Sequence, residues 1–157
     1  MTTAEARTHL DYNAWASRRL LEAALALEQE QLHRDMSVSH KSIHDTLSHI
    51  HFADRIWFSR VQGVPFQKVE PLEVEWPEIH RRWLEFADLL KDSDLDRIIS
   101  YKDMAGNPHE TPLWQIILHC VNHATLHRGQ VMAMFRQLGL KPPPTDLIFY
   151  YREMRCA

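Results

Sequence analysis

Only two cysteines occur in this chain, Cys120 inside a strongly periodic segment and Cys156 beside the C-terminus. That is no disulfide framework, and it points to a reducing compartment. Lys and Arg are nowhere massed in a run, and the formal net charge is -3 with a pI near 6.4. The electrostatic footprint of a nucleic-acid-binding protein is therefore missing. No window approaches the roughly 18 consecutive apolar residues of a membrane span, and Met1 to Thr8 lacks the apolar core of a signal peptide. These absences predict a cytoplasmic protein with neither membrane nor nucleic acid as partner.

What is abundant is histidine, with eleven in 157 residues. A hydrophobic fraction of 45% beside 25% charge is ordinary for a folded globular chain and excludes disorder. The length fits a single domain, residues 1–157, built on one core.

Helical periodicity organises most of the sequence. Ala4 to Leu32 has no Gly or Pro, and Leu10, Ala14, Ser17, Leu21, Ala24 and Leu27 form a stripe that predicts one long first helix. Ser42, with Asp45 three residues on, resembles a capping box opening a second helix to about Gln62, before Gly63. After a Pro-punctuated loop from Gly63 to Pro71, Trp76 and Pro77 announce a third helix, with Pro77 read as its first helical residue. From Ile98 to Pro112 the pattern alternates around Ala105, Gly106 and Asn107, as in a short β-hairpin. Thr111 and Pro112 then read as cap and first residue of a fourth helix, closed by Gly139, and Thr145 or Asp146 as the cap of a short last helix through Met154. The expected fold is all-α, an up-down four-helix bundle with a hairpin before helix 4 and a short C-terminal helix.

The predicted fourth helix carries His119, His123 and His127 at successive intervals of four. Residues at i and i+4 share a helical face and can close on one metal ion. The outer two stand about 12 Å apart at about 1.5 Å rise per residue, so only one adjacent pair can serve a single ion. A further ligand must come from another helix. The candidates are His40, His44, His49 and His51, then His9, His33, His80 and His109. His80, with Arg81 and Arg82 beside it, and His33, in a polar connection, read as solvated, whereas His49 sits beside the apolar stripe and enters the bundle. Three imidazoles with an open position suit Zn, Ni, Co or Fe, and they describe a catalytic rather than a structural centre. Asp45, Asn122 and Gln130 are candidates to orient the rings. Cys120 reads as a small buried hydrophobe, Gly129 as a site of close packing or metal access, and Arg128 as an anion holder or a surface ion pair.

Three segments, Tyr12-Asn13-Ala14-Trp15-Ala16, Ser42 to Trp57 with His49 and Asp54, and Val121-Asn122-His123-Ala124-Thr125-Leu126-His127-Arg128-Gly129-Gln130, resemble the DinB/YfiT-like metal-binding four-helix bundles over nearly the whole chain. The resemblance implies one divalent transition metal (Zn, Ni, Fe or Co) held by His49, His123 and His127. It implies a metal-dependent enzyme, a thiol-dependent S-transferase using low-molecular-weight thiols or a metal-assisted hydrolase, with a small-molecule substrate and a homodimer as in many relatives. The alternative it leaves is a non-catalytic metal-binding bundle in stress response, sensing or partner binding.

Overall fold

The computed structural model describes residues 1–66 and 71–155. Helix α1 spans Thr3–Leu25, α2 Gln29–His33, α3 Ile43–Gln62, α4 Leu72–Asp88, α5 Leu113–Gln137 and α6 Leu147–Met154. A short 3-10 turn, Asp92–Asp96, precedes strands β1 (Ile98–Lys102) and β2 (Pro108–Pro112), which pair antiparallel with Ser100 opposite Glu110. The long helices α1, α3, α4 and α5 form the bundle: α1 packs on α4 and α5, and α3 packs on the same two. The hairpin lies against α3 and α5, and α6 docks on α1.

Local chemistry explains most boundaries. Thr2 and Glu5 make a reciprocal capping box at the start of α1. Ser42 Oγ accepts from the Asp45 N–H at 3.0 Å to open α3. The Asp45 carboxylate completes no box and turns to His44 Nδ1 instead, at 3.1 Å. Gly63 ends α3 at φ 65°, a left-handed conformation that costs glycine little.

Three boundaries depart from the sequence reading. The first helix stops at Leu25 and resumes as α2, although every residue between favours helix. The break turns Leu32 onto the core, where it is buried, so packing overrides propensity. Helix α4 begins at Leu72, leaving Pro77 inside it rather than at its start. Pro77 has no N–H to bond the Glu73 carbonyl, yet its exposed ring lets Trp76 and Ile79 bury beside it. Helix α5 opens one residue late, with Pro112 as its cap. Part of the expected Gly63–Pro71 loop (67–70) and Cys156 lie outside the described residues.

One core joins Leu20, Ile43, Leu47, Ile50, Trp76, Trp83, Ile116, Ile117 and Met134. A smaller cluster of Tyr12, Trp15, Ala16, Val121 and Tyr150 fixes α6 to the bundle. Polar ties run through both. The Trp76 and His80 ring N–H groups donate to Asp54 Oδ2 at 2.8 and 3.1 Å, and Trp83 Nε1 donates to the Asp54 carbonyl at 3.1 Å. Asp54 thereby clamps α4 to α3. Among the described residues no helix is long and apolar enough to cross a membrane.

Candidate metal centre

Helices α3 and α5 bring the histidines together because each presents an imidazole at their contact. His49 Nε2 lies 3.0 Å from His123 Nε2. The His49 and His127 rings stand 4.6 Å apart and those of His123 and His127 4.5 Å, so one turn of α5 and one position of α3 converge. The loop before α3 adds a fourth ring: His40 stacks on His49 at 3.9 Å and meets His127 edge-on at 5.1 Å. Donor atoms of His40, His49 and His127 all fall within 4.8 Å of one another, a three-histidine group able to hold a metal ion.

The protonation pattern favours ligation. His127 Nδ1–H donates to Gln130 Oε1 at 2.8 Å, which leaves the Nε2 lone pair free. Burial, then the neighbouring His40 and His127, pushes the His49 imidazole down to about 4, and burial with His127 and His49 does the same to His123. His40 is lowered as well, chiefly by burial. The His49 and His123 rings are therefore neutral at pH 7. Their ring nitrogens, 3.0 Å apart, either share one N–H in a neutral N–H···N bond or both turn lone pairs to a common cation. Nitrogens held about 2.1 Å from a common ion at roughly 90–109° stand about 3.0–3.4 Å apart, so the observed contact fits a divalent metal.

Most of the remaining histidines have neighbours outside this group. His119 meets the edge of Trp57, with ring centres 5.1 Å apart, and lies 5.7 Å from the His123 ring. His44 bonds Asp45 and lies tilted against His33, and His109 bonds Asp103 at 3.0 Å. His51 is buried with Nε2 unpartnered, and burial pushes it down to about 4. The expectation that His80 is solvated fails: it is 7% exposed and bonded to Asp54. Arg81 and Arg82 do face water, but His80 points about 100° around the helix from its neighbour.

Arg128 is neither an anion holder nor a surface ion pair. It is 1% exposed and donates to Asn13 Oδ1 at 2.6 Å, Ser17 Oγ at 3.1 Å and Thr125 Oγ1 at 2.8 Å, beneath the Tyr12 ring. Tyr12 and Asn13 are thus core residues joining α1 to α5. Trp15 borders a cavity with Trp76, His80 and Tyr150 whose lining includes none of the clustered histidines. Cys120 is buried, burial raises its thiol well above the ordinary range, and it is not part of the histidine group able to hold a metal. Gly129 serves no close packing, since a Cβ there would meet nothing within 4 Å. Of the three residues expected to orient rings, Gln130 does so; Asn122 is exposed.

A bundle with converging imidazoles from two facing helices is the class of protein these features define. Residues 1–155 match the model of the DinB family, and the chain belongs to that family. Protein DinB of Bacillus subtilis (strain 168) is 25% identical over 156 residues, covering 89% of this chain and 90% of that one. The crystal structure of a DinB-like protein from Bacillus cereus ATCC 10987 superposes with a TM-score of 0.62 at 23% identity, over 85% of this chain and 91% of its own. That likeness supports the fold.

Proposed function

We propose that this chain is a metal-dependent enzyme that activates a small thiol, with His49, His123 and His127 as protein ligands to one divalent transition ion. The observation that carries the reading is the 3.0 Å contact between ring nitrogens of His49 and His123, with His127 oriented beside them by Gln130. A divalent ion held there supplies Lewis acidity that lowers the pKa of a thiol or water reaching it. Three neutral ligands leave the ion's charge uncompensated, which favours an anionic partner such as a thiolate. His49 and His123 offer neutral nitrogens, Gln130 fixes the His127 tautomer, and the apolar packing beneath them excludes water from one side. The group of donors able to hold a metal, His40, His49 and His127, is all imidazole, with no carboxylate among its members. That favours thiol transfer to an electrophile over hydrolysis. A thiolate attacking an electrophilic carbon forms the S–C bond while the leaving group departs with its electron pair.

Metal analysis of the purified protein tests the site. The wild type should carry close to one ion, and His49→Ala and His123→Ala should each lose most of it. Undiminished metal in both variants overturns the assignment. Assaying the loaded protein against a panel of thiols with an alkylating electrophile tests the reaction, a metal-dependent rate being the expected result. The second reading, a non-catalytic metal-binding bundle, draws on one observation, the fourth imidazole His40 stacked over the open side of the group.

A further inference from the structure

We infer that His40 is a fourth, releasable protein ligand that closes this metal site at rest and must withdraw before an exogenous thiol can enter; the inference rests on the metal reading above. Two observations point to it. His40 shares a donor group with His49 and His127, and it lies against both rings. Among the described residues no hydrogen bond reaches its ring nitrogens, whereas His44, His80 and His109 each have a carboxylate partner. An imidazole turned toward other imidazoles with no acceptor or donor of its own is suited to a cation.

The place of His40, half-exposed on a loop, supplies the release. His40 rides a loop, not a helix, and Ser37 and Lys41 on either side adopt φ of 57° and 62°, the two positive-φ non-glycine residues described. Such backbone persists only where its surroundings hold it. The loop is closed on itself by Met36 N–H to the Lys41 carbonyl at 2.7 Å and Lys41 N–H to the Val38 carbonyl at 2.9 Å. The loop is tied to α3 by the Ser42 N–H donating to the His40 carbonyl at 2.8 Å and to the core by Met36 and Val38, so it is the half-exposed His40 side chain that can rotate out of the group while these bonds hold. Bound ring and free ring differ by that side-chain rotation.

Four protein nitrogens saturate a tetrahedral ion, and a thiol then binds only to the fraction of molecules with His40 withdrawn. Its apparent affinity is reduced by that fraction. Cobalt(II) reports the coordination directly. Cobalt-loaded wild type should show the intense visible bands of a tetrahedral four-nitrogen site. His40→Ala should show the weak bands of higher coordination with water, and should bind 2-mercaptoethanol about tenfold more tightly, as expected when a competing ligand is removed. His40→Cys should display a sulfur-to-cobalt charge-transfer band absent from wild type, since a thiolate at that position reaches the ion. Far-ultraviolet dichroism checks that both variants are folded. Wild-type spectra and thiol affinity in His40→Ala, or no charge-transfer band in His40→Cys, overturn the inference. Failure of wild type to bind cobalt at all instead overturns the metal reading beneath it.

Discussion

Two adjacent residues of α5, Arg128 and Gly129, show how little a name in a motif says about its task. Gly129 sits at an exposed helical position with open space where a Cβ would go. Gly129→Ala should therefore stabilise the protein by about 0.5–1 kcal/mol, read as a higher midpoint in urea, with metal content unchanged. Arg128 ties Asn13, Ser17 and Thr125 together under Tyr12 and brings a charge into a buried site, where burial lowers its pKa. Arg128→Leu should destabilise by about 1–3 kcal/mol, because it leaves the Asn13 amide oxygen and two hydroxyls without their partner. Its metal affinity should equal that of wild type; a large loss would mean that Arg128 serves the centre. At this scale the sequence was readable where one helix sets the geometry. His123 and His127 share a face by the 3.6-residue period alone. His49 was singled out from its histidine neighbours by its place beside the apolar stripe of α3, and the family resemblance joined it to the α5 pair. His40 was only one candidate among several, because a loop's left-handed residues place it, and no periodicity records those.

At the scale of elements, α4 is held less by its own sequence than by Asp54. That one carboxylate accepts from Trp76 and His80, and its backbone carbonyl accepts from Trp83. Asp54→Ala should destabilise the protein by about 3–5 kcal/mol, as expected when one partner of a buried polar cluster is removed. Thermal unfolding checks it; a shift no larger than that of a surface substitution would sink the clamp. The same clamp explains why α4 was the element least legible in advance. Pro77 reads as a helix start, but the helix runs back to Leu72 because Trp76, five residues in, is anchored to Asp54. The hairpin, by contrast, was legible from its alternation and the Ala105-Gly106-Asn107 turn, and α6 from Asp146 after the proline run. The split of α1 from α2 was not, since it answers to the burial of Leu32 rather than to any helix breaker.

For the whole molecule, histidine burial makes stability depend on pH in a definite direction. His51 is buried, and its imidazole is pushed from the ordinary 6.5 down to about 4. His49 and His123 are shifted the same way. Between those limits the unfolded chain binds more protons, so the stability that the neutral rings confer is complete above about pH 6.5 and is lost as pH falls through about 4. The metal-free protein should lose about 2–3 kcal/mol through His51 alone over that range. His51→Leu should flatten the slope and raise the melting temperature at pH 5, since it also removes a buried nitrogen without a partner. An unchanged slope would show that other groups govern acid stability.

The contact between His49 and His123 joins residues 74 apart in sequence. A cation shared by these two rings would close a long chain loop, as a covalent crosslink would. Because the bridge would need both α3 and α5 in place, it is expected to form late in folding and to break early in unfolding. Its effect falls on lifetime: bound metal should slow unfolding far more than it speeds folding, so chelation shortens the native state's half-life before it changes the refolding rate.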